Sequence, residues 1–257
     1  MKKTLFATSL IVGLVAGIAV SSASALPLTV TLQNELDIRT QGLSSSVDVY
    51  NDMIPDTGDS YWSITGSGGS FNTILFEIAG YANGNSFGIY DLSDSTNRLQ
   101  VFSGPDLNDG TLLGTASNTV ITDNLGNYKL GATVVSFGSG TMFGYYLGVA
   151  ATGKTWYSDT ALNIDSSDHM LAYQGTGDKF SRLNNGAYAT WSPNEYILAW
   201  EDLDSRNNDP YTYDGDFADF VVMVESVEPV PEPATMLLFG AGLIGLAGMA
   251  RRKNAKK

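Results

Sequence analysis

The chain has no cysteine and a single histidine, His169. Without cysteine there are no disulfides, no thiolate metal ligands and no thiol nucleophile. With one histidine, zinc sites built on two or three imidazoles are excluded. Basic residues are scarce, and half of them sit at the two ends: Lys2, Lys3, Arg251, Arg252, Lys253, Lys256 and Lys257. Residues 26–231 hold the other 7 Lys+Arg against 26 Asp+Glu, a net charge of −19. Nucleic acid and anionic lipid are excluded as partners, because phosphate binding needs clustered basic side chains. Catalytic signatures are missing too. Gly84-Asn85-Ser86-Phe87-Gly88 has the Gly-x-Ser-x-Gly spacing but leads into the strand-like run 86–90 with no helix after it, so no nucleophile elbow accompanies His169, although Asp165 and Asp168 are close in sequence. Gly66-Ser67-Gly68-Gly69 precedes a strand-like run and reads as a turn, not as a phosphate cradle. The sequence therefore predicts a protein that is not an enzyme.

What is present is clearest at the ends. Met1-Lys2-Lys3 is basic, Leu5 to Val20 is apolar apart from Thr8 and Ser9, and Ala23-Ser24-Ala25 fits a small-residue cleavage site. This predicts a signal peptide over 1–25, cut after Ala25 with Ala23 as the second small residue. At the other end, Glu225 to Pro233 holds three acids and three prolines, and 226–233 is expected to be an extended stalk. Ala234 to Ala250 is an uncharged run of 17 residues. As a helix it would reach roughly 26 Å, the short limit for crossing a hydrocarbon core. Gly240, Gly242, Gly245 and Gly248 weaken a helix in water but are common in membrane helices. A transmembrane helix over 234–250 and a basic cytoplasmic tail over 251–257 are predicted.

Pro231-Glu232-Pro233, Ala234, the Gly-rich run and Arg251-Arg252 together resemble the PEP-CTERM sorting signal. The resemblance implies a membrane sorting enzyme of the exosortase class as partner. It implies an inner-membrane anchor before processing near the triplet, then the cell surface or exterior of a Gram-negative bacterium. Pro231, Glu232, Pro233, Arg251 and Arg252 are the sorting residues under that reading.

Between the addresses, strand signals dominate. Runs at 28–32, 46–50, 71–78, 86–90, 98–102, 118–122, 127–130, 142–149, 170–173, 196–200 and 217–224 alternate or are continuously apolar. Gly, Asn, Asp and Ser separate them. No helical period stands out. The expectation for residues 26–225 is an all-β domain, a β-sandwich of jelly-roll type.

The acids cluster late. Seven carboxylates fall within the 19 residues from Glu201 to Asp219, at the loop end of one predicted hairpin. Ca²⁺ takes six to eight oxygens in irregular geometry, and such a loop suits it. Like charges gathered there repel one another, and Arg206 can offset only one of them. One Ca²⁺ is therefore expected on Glu201, Asp202, Asp214, Asp216 and Asp219, with Asp204 and Asp209 as further loop ligands. The loop does not follow the EF-hand pattern, for the turn glycine is missing.

Trp200-Glu201-Asp202-Leu203 and, after a variable loop, Asp214-Gly215-Asp216-Phe217-Ala218-Asp219-Phe220 resemble the closing signature of domain of unknown function 4114. Phe217 and Ala218 stand where that family has Tyr and Asn. The resemblance implies a β-rich, Ca²⁺-binding surface module. The function expected is a non-enzymatic surface or extracellular-matrix protein associated with exopolysaccharide and biofilm. A carbohydrate-binding module is the first alternative, with Trp62, Trp156, Trp191, Trp200 and 13 tyrosines available for sugar stacking. A polysaccharide hydrolase is the second, although in so acidic a chain a pair of carboxylates carries little signal.

Overall fold

The structure is a computed structural model that describes residues 30–65, 68–76, 84–103, 116–181, 188–209 and 212–231. The expected signal peptide with Ala23 and Ala25, and the segment from Glu232 and Pro233 through Ala234–Ala250 to Arg251 and Arg252, lie outside them. Among the described residues no helix is long and apolar enough to cross a membrane.

Two antiparallel sheets pack face to face. The first contains β1 (Tyr61–Ile64), β3 (Asn85–Asp91), β4 (Asp94–Ser103), β8 (Met142–Val149), β9 (Lys154–Tyr157) and β15 (Val227–Val230). Its order is β15-β1-β8-β3-β4, with β9 also paired to β8. The second contains β2 (Gly69–Phe76), β5 (Ser117–Thr122), β6 (Asn127–Leu130), β7 (Thr133–Ser136), β10 (Met170–Gln174), β13 (Glu195–Trp200) and β14 (Phe220–Glu225). Its order is β10-β13-β14-β2-β5-β6-β7. This is the all-β sandwich that the alternating runs predict. The sheets hold six and seven strands, more than the eight in total of a jelly roll.

Alternation decides which side chains meet between the sheets. On β8, Phe143, Tyr145, Leu147 and Val149 point inward, and on β3, Phe87 and Ile89 do the same. Tyr196, Leu198 and Trp200 on β13 meet them, with Phe220, Val222 and Val224 on β14. Phe87 is the hinge pin of this layer. Its ring lies 5.4 Å from Tyr145 and 5.4 Å from Phe220, and edge-on to Trp200 at 6.1 Å.

The second sheet is also covered on its outer side. Ile197, Ala199, Val221 and Met223 face a second core, closed by Leu32 and Leu36, Val47 and Val49, Phe180 and Trp191. That is why β13 is buried at all six positions and β14 at five of its six. Leu32 and Leu36 lie on a helix, α1 (Val30–Arg39), four residues apart. The short hairpin β11 (Lys179–Ser181) and β12 (Tyr188–Thr190) completes the cover. A one-turn helix, α2 (Asp56–Asp59), precedes β1.

Several expectations are corrected. From Val30 on, the strand expected over 28–32 is helix α1. Burying Leu32 and Leu36 against the outer core outweighs the local alternation. Residues 46–50 form no strand. Val47 and Val49 plug the second core, while Asp48 accepts from Tyr50 N at 2.9 Å in its own turn. The strand expected over 217–224 is β14 and begins at Phe220, not at Phe217, whose backbone is left-handed with φ 51°. The segment read as a stalk contains β15, whose Val227 to Val230 pair with Ile64 to Tyr61.

That pairing makes a testable difference. A chain ending at Ser226 loses β15 and the burial of Val227, which is 1% exposed. It should be less stable than a chain ending at Pro231 by about 2 kcal/mol, the worth of one buried aliphatic side chain. Urea unfolding of the two truncations checks this, and equal midpoints would count against a structural β15.

Candidate metal centre

The centre starts where β13 and β14 end. Trp200 faces Phe220 across the pair, so the next residues outward are Glu201 and Asp219. Their backbone is clamped from both sides. Asp219 Oδ2 accepts from Asp202 N at 2.9 Å. Glu201 N donates to His169 O at 3.0 Å, and Glu201 O faces His169 Nδ1 at 2.9 Å. Trp156 Nε1 donates to Asp202 O at 2.9 Å, and the Trp156 ring lies flat on His169, 3.7 Å between centroids and 3° between planes. β9 and β10 thus fix the main chain of the Glu-Asp pair.

The returning loop is pinned by Phe217. Its side chain is buried in the second core although its backbone is left-handed, a conformation that costs a bulky residue about 1–3 kcal/mol. Gly215, at φ 64°, makes the same turn without that cost. Asp216 caps the turn by accepting from Ala218 N at 2.7 Å. Asp214 and Asp216 are thereby brought back over Glu201.

The five predicted ligands do come together, but not at one point. Ligand atoms of Glu201, Asp202 and Asp219 lie within 4.8 Å of one another, and so do those of Glu201, Asp214 and Asp216. Glu201 belongs to both groups. The first group is buried throughout, whereas Asp216 is half-buried and Asp214 exposed.

Asp204 and Asp209, expected as further ligands, face cations instead. Arg206 grips Asp204 through Nε at 2.9 Å and Nη2 at 2.8 Å. Lys154 Nζ lies 3.0 Å from Asp204 and 2.6 Å from Asp209. The Arg206 bonds, with Lys154 beside them, hold the Asp204 carboxyl well below the usual carboxylate range. Lys154 sits on β9, some fifty residues upstream, and nothing near it in sequence marks it as a partner of this loop.

The remaining carboxylates lack such partners. Glu201 Oε1 accepts from Leu203 N at 3.1 Å, but Oε2 is buried with no hydrogen-bond partner. Asp202 Oδ2 accepts from Asn85 Nδ2 at 3.0 Å, and Oδ1 is likewise buried and unpartnered. Burial, with the charge of Asp214 added, pushes Glu201 up to about 8. Burial also raises Asp202, against the Asn85 bond, and with Glu201 and Asp202 alongside it raises Asp219 well above its ordinary value.

Asp91 shows what a satisfied buried acid looks like here. It is 2% exposed. It accepts from Ser93 N at 3.0 Å, Ser93 Oγ at 2.8 Å, Gly138 N at 2.6 Å and Ser139 N at 3.0 Å. Burial opposes its charge, but those bonds outweigh it and hold the carboxyl below the usual range.

His169 is held in place on both sides. Its Nε2 meets Asp165 Oδ2 at 2.9 Å, and that oxygen also accepts from Ser205 Oγ at 2.8 Å. The hydroxyl bonds to the carboxylate and not to the ring, which is not the order of a Ser-His-Asp site. All four tryptophans, considered above for sugar stacking, are fully buried.

Fold and centre together define an antiparallel β-sandwich with a cluster of carboxylates at one strand end. The PEP-CTERM protein-sorting motif matches residues 229–253, beginning inside β15, and this motif suggests an exported, sorted surface protein of Gram-negative bacteria processed by an exosortase. No curated protein and no solved structure matches the chain.

The raised carboxyls fix a pH dependence. Glu201, Asp202 and Asp219 hold their protons more tightly folded than unfolded, so their contribution to metal-free stability is full below the ordinary carboxylate range. It falls as pH rises through neutral to about 8, where Glu201 titrates. Metal-stripped protein should show a lower urea midpoint at pH 8 than at pH 5, and Glu201→Gln should flatten the slope. A midpoint that rises over that interval would contradict the assignment.

Proposed function

We propose that this chain is an exported surface or extracellular-matrix protein, sorted through its C-terminal signal, whose sandwich binds Ca²⁺ at the acidic end of β13 and β14. It works without catalysis, among the exopolysaccharide outside the cell. The sorting half of this reading is supported by the motif match over 229–253. The calcium half is carried by one observation: buried carboxylate oxygens of Glu201 and Asp202 lack partners beside three more acids, while Lys154 and Arg206 are engaged with Asp204 and Asp209.

Chemistry selects the ion. The donors are all hard oxygens, the groups are loop-borne and of unequal burial, and imidazole and thiolate are absent from the set. Ca²⁺ accepts that irregularity, whereas Mg²⁺ demands near-octahedral geometry and keeps its water. A site of extracellular type, with Kd of about 10⁻⁴–10⁻³ M, suffices outside a cell. The resemblance of Trp200–Leu203 and Asp214–Phe220 to domain of unknown function 4114 points the same way. The ion would order the returning loop against β13 and relieve the repulsion among its acids.

Thermal unfolding of the metal-stripped full chain tests this. Ca²⁺ at a hundredfold excess over Kd adds about 2.7 kcal/mol, roughly 5–10 °C for a domain of this size. Asp214→Asn with Asp216→Asn should remove much of the rise. Asp123→Ala should keep it, because Asp123 only caps its own turn through Leu125 N and Asn127 N. A melting point unmoved by Ca²⁺, or moved equally by Mg²⁺, would sink the calcium reading. For sorting, mass spectrometry of the surface or secreted protein should find the chain starting near Leu26 and ending near Pro231. Recovery of an intact Ala234–Lys257 tail would rule out processing.

A further inference from the structure

We infer that the acidic end of β13 and β14 holds two divalent cations, bridged by the carboxylate of Glu201. The inference rests on the calcium reading above and fixes the form that the site takes.

The first ground is reach. Oxygens bound to one Ca²⁺ sit about 2.3–2.6 Å from it, so two of them are at most about 5 Å apart. Ligand atoms within 4.8 Å meet that limit in each triad separately. Among the described residues no such group combines Asp202 or Asp219 with Asp214 or Asp216. As the side chains stand, each triad suits one ion, and five carboxylates define two positions. Glu201 is common to both.

The second ground is the set of unpartnered atoms. Glu201 is fully buried, and its Oε2 has no hydrogen-bond partner. Asp202 is 1% exposed, and its Oδ1 has none either. Both atoms belong to the inner triad, and Glu201 belongs to the outer one as well.

Charge supplies the third ground. The five carboxylates carry −5 when ionised. One dication in the inner triad leaves Asp214 and Asp216 uncompensated beside it. One in the outer triad leaves Asp202 and Asp219 uncompensated and buried, the costlier arrangement. Two dications bring the centre to −1, and a carboxylate shared between them separates their charges, as in two-metal sites. The inner ion is enclosed by protein. The outer one, next to exposed Asp214, completes its shell with water.

The test is a count. Metal-stripped full chain, purified in detergent, is titrated with CaCl₂ and read by calorimetry and by native mass spectrometry. Two Ca²⁺ per chain are expected, falling to one in Asp214→Asn/Asp216→Asn. Near-ultraviolet circular dichroism confirms that this variant keeps its packed aromatics. Asp202→Asn should also leave one, and that ion should exchange faster. A single Ca²⁺ in the unaltered chain overturns the two-ion site while leaving the calcium reading intact. No Ca²⁺ at all removes both. Two ions that persist in the Asp214/Asp216 variant place the second elsewhere and overturn the inference as well.

Discussion

The strand pair β13 and β14 is sealed on both faces, and this sets the terms for everything at its end. Inward, Tyr196, Leu198, Trp200, Phe220, Val222 and Val224 join the core between the sheets. Outward, Ile197, Ala199, Val221 and Met223 lie beneath α1 and its neighbours. Carboxylates that follow directly on such a pair enter a space already cut off from water. An ionised, unpaired carboxylate in such a place costs several kcal/mol, whereas each hydrogen bond around it returns about 1 kcal/mol. Glu201, Asp202 and Asp219 are therefore either protonated or matched by cations. Their chemistry follows from the packing of the strands behind them.

The same packing makes the centre rigid. Trp200 belongs to the aromatic layer around Phe87 and is one residue from Glu201. Trp156 and His169 stack and bind the carbonyls of Asp202 and Glu201. The far side is different. Residues 212–216 form no regular structure and are held by Phe217 and by the Asp216 cap. One wall of the centre is fixed by two cores, and the other by Phe217, the Asp216 cap and a bond from Tyr213 N to Asn207 Oδ1 at 3.0 Å.

Much of this was legible in the residue pattern. The apolar runs at 142–149 and 196–200 announce β8 and β13, which are buried at six of eight and at all six positions. The crowding of acids over 201–219 marks the centre. What escaped depends on partners distant in sequence. Helix α1 offers only Leu32 and Leu36 as its apolar stripe, and the Arg39–Glu35 ion pair and the Thr40–Leu36 bond that finish it are not periodic signals. β15 contains a proline and a glutamate and becomes a strand only by lying along β1. Asp204 and Asp209 could not be told from ligands without Lys154. The division of the acids into two triads arises from the turn at Gly215 and Phe217, which composition does not reveal.

The position of β15 gives the domain a mechanical property. The described residues end at Pro231, directly after a strand whose described sheet partner is β1. A pull on the C-terminal segment is therefore applied first to the four residue pairs of β15 and β1, and through β1 to β8. The acidic centre belongs to the opposite sheet, where β13 and β14 end. Tension along the C-terminal segment would detach one short strand long before it disturbed the carboxylates, so β15 can act as a mechanical fuse between whatever holds the protein and its acidic centre.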